Sequence, residues 1–367
     1  MSTTAQRGAS YSPKALLAVG SPIFVVGASR SGTSVMQAML NRHPKIELQG
    51  ESHYFDDLRP RMAGQLETRL RDGDMRKMVE DYFLALEHRP YGHAGDPEKS
   101  TMPRHELRAA AETLGETVDA YFESFCKIYT VRAGAHRWGE KTPRHVYRIA
   151  NMIGAYPDAQ VIGMVRDARA VVASYRDWKN QGGFDLQKDP EHARALQADE
   201  SRARRSYHPI LASMLWRGSV RAILGARERF GAERVRLQRY EDLVQRPEQA
   251  ARDVCQWLSV PFDATILDVP MRNSSYSSYA QESGFQTQAV DRWREKLSDR
   301  ELAVIQRVCR KELQGAGYEL LDVGAHHLYY VWSWITLPFA GVRAVLANRE
   351  RIHNLPAYIW RRLRSGR

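Results

Sequence analysis

At 367 residues, the chain is long enough for one large domain or two, and its hydrophobic fraction of 43% and charged fraction of 26% are ordinary for a soluble globular protein. The formal net charge of +11 indicates an anionic partner, such as a nucleotide, a polyanion or an anionic membrane, or else serves solubility alone. Cys126, Cys255 and Cys309 are odd in number and lie far apart without a CxxC pair, which argues against a disulfide framework and against a structural zinc site. We therefore expect buried free thiols in a reducing compartment.

Residues 1–20 contain only a short apolar patch and lack the hydrophobic core of a secretory signal, so we expect a loose N-terminal arm and a cytoplasmic protein. A strand–loop–helix unit follows. An apolar run predicts a buried strand at 23–27, and residues 33–43 predict a helix that ends at Pro44. The loop between them contains Gly27 and Gly32, and its backbone N–H groups would converge with the helix N-terminus on an anion.

The composition of this loop indicates which phosphate it binds. The spacing of its glycines fits the start of a nucleotide triphosphatase loop, in which Lys and then Ser or Thr should follow the second glycine. Here Thr33 and Ser34 follow, and the cation lies inside the loop at Arg30, next to Ser31. The loop therefore predicts a phosphate-binding site without the lysine that reaches the outer groups of a triphosphate.

The rest of the chain predicts alternating strands and helices. Two further strands are predicted at 160–165 and 235–238, and residues 46–48 suggest a short additional one. We expect residues 181–206, which are polar and begin near a pair of glycines, to form a mobile loop or lid. Strands that alternate with helices imply an α/β fold with a central parallel sheet and helices on both faces. The predicted helices are at 61–88, 104–130, 168–179, 209–230, 247–258 and 298–314.

Several polar residues follow the predicted strands, where open α/β sheets bind ligands. Arg166 ends one strand, and with Ser174 on the next helix it could hold a second phosphate, or it could form a surface pair with Asp167. Lys141 precedes a helix that Pro143 begins, either as a solvated lysine or as a contact to a transferring group.

A carboxylate and a histidine follow the short strand at 46–48. Glu51 near a phosphate site could be a general base, and His53 is a rival for that role. Alternatively, both residues interact with the N-terminus of a helix.

Together these residues resemble the sulfotransferases that use 3′-phosphoadenosine 5′-phosphosulfate (PAPS). The resemblance covers about residues 22–320, in order. Its motifs are the loop Ser29–Ser34 for the 5′-phosphosulfate, Arg166 and Ser174 for the 3′-phosphate, the segment Tyr240–Leu243, and Arg292–Trp293 with a later Gly317–Tyr318. The sequence departs from the family at Ser29 and Ala168, where proline is usual. The resemblance implies a P-loop-like three-layer fold and these cofactor-binding residues: Arg30, Ser31, Gly32, Thr33, Ser34, Arg166, Ser174, Tyr240 and Arg292.

The segment from the loop to Gly50–Glu51 is most similar to the tyrosylprotein and carbohydrate branches of that family. That similarity implies Glu51 as the base, with Lys141, Ser277 and Arg30 stabilising the charge of the transition state. The serine-rich run around Ser277 leaves its register open. In the branch that sulfates small molecules the base is a histidine, so His53 remains the second candidate.

The implied reaction moves a sulfuryl group from PAPS to an acceptor hydroxyl on a carbohydrate, a lipid-linked molecule or a peptide tyrosine, by in-line displacement. Adenosine 3′,5′-bisphosphate would be the product, and no metal and no nucleic acid are expected. Two alternatives are a P-loop nucleotide kinase or NTPase, which the missing lysine disfavours, and a non-catalytic protein that binds nucleotides or polyanions.

We expect a sulfotransferase domain at 21–320 and a helical C-terminal tail at 321–367. Residues 323–342 have no formal charge and are rich in aromatic residues, and six arginines lie between Arg349 and Arg367. This pattern suits peripheral contact with the inner face of a membrane. Alternatively, the tail is a helix pair that packs on the domain or on a second subunit, as in a homodimer.

Overall fold

The computed structural model describes residues 12–71, 73–88, 95–178, 190–269, 285, 287 and 290–349. Within these ranges, five parallel strands form one sheet in the order β2–β3–β1–β4–β5. The strands are β1 (Ile23–Gly27), β2 (Ile46–Gln49), β3 (Arg137–Lys141), β4 (Gln160–Val165) and β5 (Val235–Arg239).

Helices cover the sheet and connect its strands. Short 3₁₀ segments occur at Ala85–His88, Pro97–Lys99, Pro143–Arg148 and Ala264–Leu267. The α-helices are α1 (Pro13–Ala18), α2 (Thr33–Leu40), α3 (Leu58–Arg61), α4 (Asp74–Leu84), α5 (Arg104–Leu114), α6 (Val118–Arg132), α7 (Ile149–Ala155), α8 (Ala168–Trp178), α9 (Pro190–Ser206), α10 (Pro209–Phe230), α11 (Tyr240–Gln245), α12 (Pro247–Trp257), α13 (Trp293–Lys296), α14 (Asp299–Gly315) and α15 (His327–Ala347).

The central strand β1 is buried on both sides, which explains its continuous apolar sequence. Phe24 and Val26 belong to a large core that includes side chains from α5, α6, α8, α10 and α14. Ile23 and Val25 alternate with them and belong to a second core, which includes side chains from α2 and α12. These two cores make the protein a three-layer α/β structure, as the sequence predicted.

The structure differs from the sequence expectations in several places. The predicted helix at 61–88 begins only at Asp74 in α4, and the predicted helix at 104–130 is divided at Gly115 into α5 and α6. Pro13–Ala18, inside the expected loose arm, is a helix whose Leu16 is fully buried. Strand β3 includes a buried Glu140 and Lys141, and these charges hid it from the apolar pattern that predicts strands. Residues 190–206 of the expected loop are the helix α9. The many charged residues of α9 suggested a loop, although pairs such as Glu200–Arg204 lie one helical turn apart.

Other expectations are confirmed. All three cysteines are buried and free. Helix α14 begins at Ser298 with a capping box, in which the Ser298 N–H donates to Glu301 at 2.9 Å. Since all five strands are parallel, their carboxyl ends lie at one edge of the sheet. The segments that carry most of the predicted site residues therefore meet at that edge.

Candidate functional site

The loop after β1 has the shape of an anion-binding turn. Arg30 and Gly32 both have positive φ, 73° and 90°, and the Ser31 N–H donates to the Ala28 carbonyl at 3.1 Å. Gly32 is the N-cap of α2, and Thr33 and Ser34 form the first turn of that helix. A Cβ at position 32 would collide with the ring of Tyr240, so both the backbone angle and the space require glycine.

The side chain of Ser31 shows that the loop is built around a polar group. Ser31 is fully buried, and its Oγ has no hydrogen-bond partner within the part of the chain that the structure describes. A buried hydroxyl without a partner costs stability, so it is expected where a ligand completes its bonding. The N-terminus of α2 adds the positive end of a helix dipole beside it.

Arginines from two loops meet beside this turn. The Arg30 Nε donates to the Ser174 Oγ at 2.9 Å, and the Arg166 Nη1 donates to the Arg30 carbonyl at 3.3 Å. The Arg166 guanidinium lies 4.5 Å from the centre of the Tyr240 ring. The ends of β1, β4 and β5 thus bring together residues that are up to 210 positions apart in the chain.

The pKa of the Tyr240 hydroxyl reflects both its burial and the positive charge of the arginines around it. Burial raises the pKa of the Tyr240 hydroxyl, Glu241 adds to that rise, and the positive charges of Arg166, Arg30 and Arg292 oppose it. Arg292 therefore belongs to the same electrostatic environment, although it lies 126 residues beyond Arg166 in the chain. We call the set of Arg30, Arg166, Ser174, Tyr240 and Arg292 the arginine cluster.

A buried carboxylate holds the turn after β4 in place. The Asp167 N–H donates to Glu241 Oε1 at 3.0 Å, and the Tyr318 hydroxyl donates to Glu241 Oε2 at 2.7 Å. Burial raises the pKa of Glu241, and these two hydrogen bonds counteract the rise. Tyr318 and Glu241 belonged to separate motifs in the sequence, and this contact explains why both are present.

The second arginine of that turn has a structural role. Arg169 and Asp167 form a buried ion pair at 2.6 Å, and the Arg169 guanidinium lies 4.4 Å from the centre of the Trp293 ring. Trp293 is buried, so it serves the core rather than an exposed stacking surface. The neighbouring Arg292 is thereby positioned beside the arginine cluster.

A second group of charged residues follows β2 and β3. The Lys141 Nζ lies 2.7 Å from Glu51 Oε1, and the His53 Nε2 lies 3.6 Å from Glu51 Oε2. The Lys141 side chain is only 7% exposed, whereas that of Glu51 is 38% exposed. Glu51 can therefore be reached from solvent, while Lys141 is fixed behind it.

Glu140 forms a buried hydrogen-bond network behind this pair that the sequence analysis missed. The Ser52 N–H and hydroxyl both donate to Glu140 Oε1 at 2.8 Å, the Thr142 hydroxyl donates to the same oxygen, and His145 Nδ1 lies 3.1 Å from Glu140 Oε2. Burial alone would raise the pKa of Glu140, but His145, Thr142 and Ser52 together lower it below its ordinary value. Glu140 is therefore ionised, and its carboxylate holds Ser52, the residue between Glu51 and His53.

The register of the sheet places the two groups side by side. Lys141 pairs with Val25, three residues before the loop that begins at Ala28. On the other side of β1, Met164 pairs with Gly27, so Arg166 follows two residues later. Ser277 lies outside the described residues. Among the residues that the structure describes, no group of three or more His, Cys, Asp or Glu side chains could hold a metal ion.

Comparisons with known proteins identify the family of the chain. A sequence profile of the Sulfotransferase family matches residues 22–264. A protein-tyrosine sulfotransferase of Drosophila melanogaster is 26% identical over 67% of this chain and 39% of its own length, and protein-tyrosine sulfotransferase A of Caenorhabditis elegans is 24% identical over 67% of this chain and 51% of its own. The chain thus spans about half the length of these relatives, or less.

Among solved structures, the sulfotransferase domain from the Synechococcus PCC 7002 olefin synthase is 20% identical. The similarity covers 83% of this chain and 96% of that one, with a TM-score of 0.51, and it supports the fold. The family profile covers well over half of the chain, and it confirms the resemblance inferred from the sequence motifs. The chain belongs to the sulfotransferase family.

Proposed function

We propose that the protein transfers the sulfuryl group of PAPS to the hydroxyl of a carbohydrate, a lipid-linked acceptor or a peptide tyrosine. The observation that carries this proposal is the Glu51–Lys141 pair at 2.7 Å, which lies one strand away from an anion-binding loop. A base and a cation beside a bound anion are what transfer to a hydroxyl requires.

The residues present fit a donor with two anionic ends. The loop offers the Ser31 hydroxyl, the positive end of α2 and Arg30, which suit the 5′-phosphosulfate. Arg166, Ser174 and Arg292 form a second anionic subsite, which suits the 3′-phosphate. When bound, this donor supplies an activated sulfuryl group, and adenosine 3′,5′-bisphosphate remains.

The chain's own residues divide the work of the transfer. Glu51 takes the proton of the acceptor hydroxyl, whose oxygen then forms the new bond to sulfur as the bond from sulfur to the phosphate oxygen breaks. Lys141 and Arg30, together with Ser277, stabilise the negative charge that develops on the transferring and leaving oxygens. A general base contributes about 10²–10⁴ to such a rate. His53 lies on the other side of the Glu51 carboxylate and is the alternative base.

The acceptor would approach from the side of the α3–α4 helices. A surface cavity of about 680 Å³ lies there, lined by residues that include Met62, Met75 and Met78. Tyr82, one turn after Met78 on α4, donates its hydroxyl to the Ser52 carbonyl at 2.6 Å, beside Glu51.

A nucleotide kinase would need a lysine after Gly32 and an acidic residue at a strand end for magnesium. The chain instead has Thr33, and β5 ends at Arg239. Hydrolysis of ATP with magnesium, without binding of adenosine 3′,5′-bisphosphate, would favour that alternative.

The test is transfer of labelled sulfate from PAPS into cell extract, followed by identification of the product. Glu51→Gln should lower the transfer rate at least a hundredfold while binding of adenosine 3′,5′-bisphosphate is unchanged. Glu248→Gln, an exposed carboxylate on α12, is the matched control and should keep the wild-type rate. Near-normal transfer by Glu51→Gln together with loss in His53→Ala would assign the base to His53 instead.

A further inference from the structure

Helix α15 presents an apolar stripe to solvent. Seven of its eight exposed large apolar side chains are spaced by three or four residues, apart from one adjacent pair, so these seven lie on one face of the helix; the eighth, Trp334, lies to one side of that face. Phe339 is 75% exposed and Leu328 is 89% exposed. At about 1.5 Å per residue, the stripe is about 27 Å long. It consists of Leu328, Val331, Trp332, Ile335, Phe339, Val342 and Leu346.

The opposite face of α15 is fixed to the domain. The Arg343 Nε donates to the Arg205 carbonyl at 2.7 Å, and the His208 Nε2 lies 3.2 Å from the Thr336 hydroxyl. Ser333 and Ala340 are buried on this face. The helix therefore has a defined orientation, and the outward direction of the stripe does not depend on a free tail.

The length and composition of α15 would also allow it to cross a membrane, and only 11% of its most apolar 18-residue window is buried, so it is not the core helix of a soluble domain. Crossing is inconsistent with the packing. Helix α9 lies against α15 and carries Arg202, Arg204 and Arg205, and these charges would enter the hydrocarbon with it. Placing several arginines in hydrocarbon is costly, so α15 can meet a bilayer only lengthwise.

We propose that α15 docks the protein on an anionic membrane surface, with its stripe lying in the plane of the headgroups. The charge distribution favours this occupant. Residues 323–342 are uncharged, six arginines follow in the sequence between Arg349 and Arg367, and Arg204 of α9 is exposed. Trp332 in the stripe is typical of the membrane interface.

The proposal is tested by flotation of the full chain with phosphatidylcholine vesicles that contain or lack phosphatidylglycerol. We expect binding to the anionic vesicles, weakened by high salt. Phe339→Asp should lower the partition coefficient at least about tenfold, because it removes an inserted ring and adds a negative charge that the anionic headgroups repel. Leu17→Asp, an exposed apolar residue on α1, is the matched control and should bind as the wild type does.

Circular dichroism of each variant would confirm that it folds. Absence of wild-type binding, or equal binding by Phe339→Asp, would overturn the proposal. Sedimentation that shows a dimer, broken by Phe339→Asp, in a protein that does not bind vesicles would assign the stripe to a second copy. Binding is measured without PAPS, so its outcome is independent of the proposed transfer reaction.

Discussion

Replacing Glu140 by glutamine tests whether the buried network positions the catalytic segment. Glutamine has nearly the same shape, but it removes the charge and one accepting oxygen. If its oxygen keeps the two donors of Ser52 and that of Thr142, its amide group faces His145 Nδ1, 3.1 Å away in the native protein. Among the contacts of Glu140, the charge-assisted bond from His145 is therefore lost.

The size of the effect follows from burial. Both Glu140 and His145 are fully buried, with side chains no more than 1% exposed. A hydrogen bond to a charged group is worth about 1.5–3 kcal/mol, and breaking a buried pair costs about 3–5 kcal/mol. We expect Glu140→Gln to lower the free energy of unfolding by about 2–4 kcal/mol. We also expect the sulfuryl-transfer kcat to fall at least tenfold, with unchanged binding of adenosine 3′,5′-bisphosphate.

Acid titration gives an independent readout. The folded pKa of Glu140 lies below its ordinary value of 4.5, so ionisation of this group stabilises the native state above about pH 4.5. That stability is lost as the pH falls through the lower, folded value. Glu140→Gln should lack this part of the loss.

Urea unfolding of Glu140→Gln, His145→Gln and the double variant forms the assay. Each single variant leaves one buried group without its partner, whereas the double variant replaces both groups. The double variant should therefore lose less stability than the sum of the single variants. Losses that add within about 0.5 kcal/mol, or a Glu140→Gln loss below about 1 kcal/mol, would refute the reasoning. A wild-type kcat in Glu140→Gln would show that the network serves stability alone.

Two further predictions concern the anion subsite and a carboxylate away from it. Arg166→Met should weaken adenosine 3′,5′-bisphosphate about ten- to a hundredfold in calorimetry, since it removes charge-assisted bonds. The exposed Arg246→Met should leave that affinity unchanged, and a similar loss in both variants would contradict the assignment. Burial raises the pKa of Glu47 to about 7, so the folded protein retains a proton that the unfolded chain releases near pH 4.5. The free energy of unfolding of the wild type should therefore fall as the pH rises from about 5 to 7. Glu47→Gln should remove this fall and raise the free energy of unfolding at pH 8 by about 1–3 kcal/mol in urea unfolding. Equal dependence of stability on pH in the two proteins would contradict this expectation.

The sequence predicted the parts of the site that local patterns encode. The loop around Arg30 follows from a strand, two glycines and a helix, all within about twenty residues. Arg166 followed from its place at the end of an apolar strand. Both signals are short in sequence and do not depend on distant packing.

The parts that the sequence missed depend on distant packing. Glu140 received no role from the sequence, and only the sheet shows that it is buried against Ser52 and His145. The apolar tail was visible in the sequence, but its outward stripe was not, because the faces of α15 are defined by α9 and α10. Polar residues that lie inside, and apolar residues that lie outside, reverse the patterns on which such predictions rest.

The pairing of Lys141 with Val25 and of Met164 with Gly27 has a consequence for evolution and engineering. The spacing between Lys141 and the anion loop is defined by main-chain hydrogen bonds and not by the size of any side chain. A slip of one residue would move Lys141 about 3.3 Å along β1 and turn it to the opposite face. Core substitutions that preserve this pairing should therefore erode thermal resistance long before they disturb the alignment of the reacting groups.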